Sequence, residues 1–141
     1  MLEAQVDAEV LEHEDELLGY PFAIPRLKGC NLPYIEPLAM WSALLGDLVL
    51  NTPVPVMAAR FHKGLAKAIV TMVDKLAQAD EAAPLRTVAL SGGVFQNRVL
   101  VERVSRLLRE RGYAVLSHRL VPCNDGGLAL GQAAVAAARH L

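Results

Sequence analysis

The strongest constraint on this chain is the junction Val88-Ala-Leu-Ser-Gly-Gly-Val-Phe-Gln-Asn97. A short apolar run meets two glycines there and passes straight into a helical pattern. Gly92 and Gly93 lack a Cβ, so the backbone can adopt angles closed to other residues and approach a ligand closely. The helix that follows presents unpaired N–H groups and a positive dipole end to an anion. Asp125-Gly126-Gly127 repeats the arrangement further along. Two such turns in one small domain point to a ligand site.

The elements around these turns read as α/β. Thr87 to Leu90 is a buried-type strand. Gln96 to Arg111 reads as a helix that buries Leu100, Val101, Val104, Leu107 and Leu108, with Gly112 as its C-cap. Tyr113 to Leu116 is the next strand, and Leu128 to Arg139 an alanine-rich helix. Strand, helix, strand, helix implies parallel pairing through a right-handed crossover. Ligands on such sheets sit beyond the carboxyl ends of the strands, where both glycine pairs fall.

Upstream, apolar residues at three- and four-residue spacing predict a long helix from about Pro55 to Gln78. Residues 79–86 read as a loop. Leu38, Trp41, Leu44, Leu45 and Leu48 predict a helix over 38–50, with Trp41 and the methionines at core spacing. Pro21, Pro25, Gly29, Pro33 and Pro37 make the preceding segment irregular. Met1 to Leu18 reads as a helix without an N-cap. The domain expectation is one unit over 1–141, partly irregular and helical over 1–55, with an α/β core over 56–141.

With 141 residues, the chain is long enough for one domain with a core. Fourteen basic residues are scattered against fifteen acidic ones, net −1, so nucleic acid is not an expected partner. No apolar run reaches transmembrane length, so no membrane is expected either. Cys30 and Cys123 are too few for a disulfide framework and fit a reducing cytoplasm.

Several residues at the turns could carry chemistry. Gly92 and Gly93 could cradle phosphate or form a tight strand-to-helix turn; the dinucleotide and P-loop fingerprints are both absent. Ser91, Gln96 and Asn97 add polar groups. Asn97 could bond a base or ribose, or cap the helix. Asp125 could ligate a metal or serve as an N-cap. Cys123 and Cys30 read as buried fillers, since a reactive thiolate needs a base or metal beside it. His13, His62, His118 and His140 each stand alone. No residue is assigned as catalytic.

Tyr20-Pro-Phe22, Ala58-Ala-Arg-Phe-His62, Leu90-Ser-Gly-Gly-Val-Phe-Gln-Asn97 and Val121-Pro-Cys-Asn-Asp-Gly-Gly-Leu-Ala-Leu-Gly-Gln132 resemble the C-terminal part of the HypF family of carbamoyltransferases, which mature nickel–iron hydrogenases. The more distant tRNA threonylcarbamoyl-transferase family shares Gly-Gly-Val and a later Asp, but usually lacks Phe-Gln-Asn. The resemblance implies a ribonuclease H-like lobe of the actin/Hsp70/sugar-kinase type, a sheet with packed helices, here the second of two lobes that close over a nucleotide. In the family, carbamate released from carbamoyl phosphate reacts with ATP to give carbamoyl-adenylate, and the carbamoyl group passes to a cysteine of the partner HypE. Carried over by motif, Ser91, Gly92, Gly93, Gln96, Asn97, Gly126 and Gly127 would bind nucleotide, and Asp125 a divalent metal. The family's paired metal-binding histidines, acylphosphatase domain, cysteine clusters and first lobe are absent from this sequence. The implied partners are therefore the remaining HypF lobe and domains. Other readings are a tRNA-modifying relative, which predicts a basic surface, and a non-catalytic module that forms a homodimer through an exposed apolar face.

Overall fold

The computed structural model describes residues 2–30, 32–78 and 86–139. Its elements are α1 (Ala8–His13), α2 (Leu38–Val49), α3 (Val54–Ala77), β1 (Thr87–Leu90), α4 (Arg98–Glu110), β2 (Ala114–Ser117) and α5 (Leu128–Ala138), with 3-10 turns at Glu3–Gln5, Glu16–Leu18, Gly93–Gln96 and Asp125–Gly127. All but one of the loop residues expected over 79–86 lie outside the described residues.

The α/β expectation holds. β1 and β2 pair in parallel, with Thr87 opposite Ala114 and Leu90 opposite Ser117. Helix α4 makes the crossover. It buries Leu100, Val104 and Leu108, four residues apart, against Ala66 and Val70 of α3 and Leu90 of β1. This apolar spacing turns one stripe of each helix inward. Gly112, at φ +84°, reverses the chain, and the N–H of Tyr113 returns to the carbonyl of Leu108 at 3.0 Å. Glycine is favoured at that left-handed position. β2 consequently starts and ends one residue later than the apolar run suggests.

Helix α4 also begins two residues later than expected. Gly93–Gln96 forms its own 3-10 turn, and Asn97 is extended, with its side chain capping Leu100 N–H at 2.9 Å.

The single helix expected over 1–18 is instead three short pieces. Asp7 accepts from the N–H groups of Glu9 and Val10, and Asp15 from that of Leu17. Aspartate competes with the helical backbone and favours caps, so these residues divide the segment. The N-cap judged missing is Asp7.

The N-terminal segment is tied down by polar contacts. Tyr20 Oη donates to Asp47 at 2.7 Å, and the Arg60 guanidinium bonds both Asp47 and Glu14. Lys63 and Arg103, both buried, meet Glu16. Gly64 lets the chain at Tyr20 cross α3: an added Cβ would lie 2.1 Å from the Tyr20 carbonyl oxygen.

Helix α2 corrects the core assignment of Trp41. Met40 and Met57 are buried, but Trp41, Leu45 and Leu48 are each more than half exposed. The same holds for Leu128, Leu130 and Val135 on α5. Cys30 is exposed, not a buried filler. Among the described residues, no helix is long and apolar enough to cross a membrane.

Candidate functional site

The carboxyl ends of β1 and β2 open into a cleft of about 810 Å³. Its walls come from three places: Ser91 and Gly92 after β1, His118 after β2, and the turn Pro122–Asp125 with Gly127 leading into α5. Leu128, Gly131, Gln132, Val135 and Ala136 of α5, with Arg139 at its C-cap, complete the lining. These six recur at 128, 131, 132, 135, 136 and 139, one helical face. Sequence reasoning passed over them, although this spacing was the available signal.

The two glycine turns are joined directly. The Gly92 N–H donates to the Cys123 carbonyl at 2.7 Å. Gly92 sits at φ +102°, ψ 159°, a conformation reserved for glycine, and so directs the chain into the 3-10 turn at Gly93. In the second turn Asn124, not Asp125, is the cap. Its Oδ1 accepts from Gly126 N–H and its carbonyl from Gly127 N–H, both at 3.0 Å. Gly127 packs too tightly for a side chain, with an added Cβ 2.6 Å from the Pro122 carbonyl oxygen. The N–H groups of Gly92, Gly126 and Gly127 thus build the turns.

Gly93 is different. An added Cβ there meets nothing within 4 Å, and its φ is not positive. Neither packing nor backbone angle requires glycine at that position. The N–H groups of Gly93 and Val94 stand at the open end of the 3-10 turn, where no earlier carbonyl of the turn can take them.

The structure brings Ser91, Gly92, Asp125 and Gly127 onto one cleft wall. Gly93, Gln96, Asn97 and Gly126 do not line it. Gln96 borders an adjoining hollow with Phe95 and Val101, which shares His118, Pro122 and Cys123 with the cleft. The Asn97 side chain is engaged at both ends: Oδ1 caps α4, and Nδ2 donates to His62 Nε2 at 2.8 Å. His62 is completely buried, and its Nδ1 meets the Ala58 carbonyl at 2.7 Å. Since a carbonyl only accepts, the proton resides on Nδ1, and His62 is a neutral acceptor toward Asn97.

His118, read as solitary, lies 2.9 Å from Ser91 Oγ. The register explains the pairing. Leu90 and Ser117 are the last paired residues, so Ser91 and His118 are the next partners beyond the sheet's end. Cys123 is half-buried, and its main chain carries the tie to Gly92. Asp125 is exposed at the cleft wall. Among the described residues no three His, Cys, Asp or Glu side chains converge as a metal ligand set. Asp125 alone does not make a metal site.

An α/β lobe whose strand ends open into a cleft between two glycine turns belongs to the class of parallel α/β folds with a crevice beyond the carboxyl ends of their strands. The particular family follows from comparison with known proteins. Residues 2–132 match the family described as the second subdomain of the carbamoyltransferase Kae1-like domain, and the chain belongs to that family. It is 49% identical over 80 residues to the carbamoyltransferase HypF homolog of Cupriavidus necator, covering 57% of this chain and 20% of that protein. Carbamoyltransferase HypF of Rhizobium leguminosarum bv. viciae is 48% identical over 76 residues, 54% of this chain and 10% of that one. The fold aligns with full-length HypF in its phosphate- and nucleotide-bound form at a TM-score of 0.81 and 29% identity, covering 96% of this chain and 16% of that one. HypF of T. kodakarensis shares the fold, at a TM-score of 0.62. The chain thus spans a fifth or less of the length of these relatives.

Proposed function

We propose that this chain forms one wall of the nucleotide site of a HypF-type carbamoyltransferase. The reaction is the one the family resemblance implies. Carbamate and ATP give carbamoyl-adenylate, and the carbamoyl group then passes to a cysteine thiol of a HypE-like acceptor in a cytoplasmic setting. One observation carries the reading: the Gly92 to Cys123 hydrogen bond, 2.7 Å, which fixes both glycine turns on a single cleft. The structural relative of highest similarity described above is a nucleotide-bound HypF. In this reading, a phosphate reaches from the cleft past Gly92 to the backbone at Gly93, just outside the lining, where nothing within 4 Å would meet a Cβ. Backbone N–H groups aimed at phosphate oxygens stabilise the charge that develops during adenylate formation. Gln132 and the apolar face of α5 belong to this same wall.

Asp125 would supply one carboxylate to a divalent ion whose other ligands come from the rest of the enzyme. The exposed apolar residues of α2 and α5 are the surfaces on which the remaining HypF lobe and domains pack. This chain by itself does not complete the reaction, because the second wall of the site and the further ligands lie elsewhere.

Isothermal titration of ATP with Mg²⁺ into the wild type and into Gly93→Val tests the reading. Binding lost in the variant supports it. Equal heats from both would contradict it.

A further inference from the structure

We propose that Ser91 and His118 form a proton relay for the second half-reaction, the transfer of the carbamoyl group to the acceptor thiol; this rests on the carbamoyl-transfer reading above. Three observations support the assignment. The pair is hydrogen-bonded, Oγ to Nε2 at 2.9 Å, within the range of a hydroxyl and its base. The parallel register holds it at the carboxyl lip of the sheet, beside the Gly92 turn. Among the described residues that line the cleft, the titratable ones are His118, Cys123, Asp125 and Arg139. Histidine is the one whose ordinary range, about 6.5, lies near neutrality.

The two half-reactions differ in their need for a base. Carbamate arrives at ATP already ionised. A thiol, with an ordinary pKa near 8.5, must lose its proton to attack. With the Ser91 hydroxyl donating to Nε2, its oxygen lone pairs are left to accept from an incoming thiol. The thiol sulfur bonds to the carbamoyl carbon. The bond from that carbon to the phosphate oxygen breaks, and its electron pair leaves on AMP. The thiol proton passes to Ser91 Oγ while the serine proton passes to His118 Nε2. The products are a thiocarbamate, AMP and an imidazolium that returns its proton to solvent.

The experiment uses the complete carbamoyltransferase assembled from this segment and the remaining HypF domains. Adenylate formation is read by carbamate-dependent exchange of pyrophosphate into ATP. Transfer is read with a short peptide ending in cysteine. His118→Gln and Ser91→Ala each lower transfer by about 100-fold more than they lower exchange, the lower end of general-base contributions. The double variant loses no more than either single one, as expected of groups acting as a unit. Both positions are exposed, so folding is not at stake. Transfer at the wild-type rate in either variant overturns the relay alone. Exchange and transfer falling together also overturn it, since the pair would then serve nucleotide binding. No exchange in the wild-type assembly would overturn the parent reading, and the relay with it.

Discussion

The Gly92 N–H and the Cys123 carbonyl stand 2.7 Å apart, and this bond fastens the turn after β1 to the turn before α5. The two glycines beside it should respond oppositely to substitution. Gly92→Ala puts a Cβ on a backbone at φ +102° and should cost about 1–3 kcal/mol. Gly93→Ala meets no neighbour and should leave the chemical-denaturation midpoint nearly unchanged. Its effect should appear on nucleotide binding. Urea titrations of the two variants check the contrast.

The His62 to Asn97 pair should be costly to break. Asn97→Ala removes the cap of α4, worth about 1 kcal/mol, and leaves the buried Nε2 of His62 without its donor, at about 1–3 kcal/mol more. A loss of roughly 2–4 kcal/mol with an unchanged denaturant slope is expected. Hydrogen exchange at the Leu100 amide should accelerate with it. A stability change under 0.5 kcal/mol would contradict the arrangement.

The Tyr20–Asp47–Arg60 network sets the pH limits of stability. Burial pushes the Asp47 carboxyl up, but hydrogen bonds from Tyr20, Arg60 and Thr52, with the Arg60 charge, outweigh it and hold the group below its ordinary range. A carboxyl lowered in the folded state adds stability above its unfolded pKa of about 3.9 and loses that stability as pH falls through the folded value. Glu16 acts in the same direction, with Arg103 and Lys63 outweighing its burial. Tyr20 is raised, first by burial and then by the Asp47 carboxylate. Its contribution is full below about pH 10 and declines as pH rises toward the folded value. Thermal melts should show Asp47→Asn flattening the acid limb and Tyr20→Phe the alkaline limb.

Gly64→Ala should destabilise strongly. A Cβ 2.1 Å from the Tyr20 carbonyl oxygen forces two backbones apart and opens the cluster of Tyr20, Met40 and Met57. We expect a loss of about 3 kcal/mol, read from the denaturant midpoint. Gly46, on α2 with nothing within 4 Å, serves as the control and should tolerate alanine.

The exposed stripe of α2 should matter to association and not to folding. Trp41→Glu with Leu45→Glu should leave stability within about 0.5 kcal/mol. In sedimentation velocity the pair should abolish docking of the remaining HypF domains. Wild-type docking by the variant would remove α2 from that interface.

Much of this was legible in the residues. The apolar spacing of α3 and α4, a helix stop at Gly112 (one residue past the actual cap, Arg111), and the order from residue 87 all announced themselves through period and turn chemistry. The burial of α2 was not legible, because periodicity marks an apolar face without saying what covers it. Trp41 sits on such a face and is exposed. At the site, the two glycine turns were evident, but their division of labour was not. Gly92 needs its φ, Gly127 its close packing, and Gly93 neither, a distinction that exists only in three dimensions. His118 read as solitary because its partner is twenty-seven residues away, brought near by strand register.

The most direct test of the central claim is amide chemical-shift mapping of ATP with Mg²⁺ titrated to millimolar concentration into the ¹⁵N-labelled chain. Saturable shifts confined to Ser91, Gly92, Gly93, Asp125, Gly127 and the Gln132 face of α5, and lost in Gly93→Val, are the predicted result. Shifts clustered away from the cleft, or none at saturation of the titration, would contradict a nucleotide site between the two glycine turns.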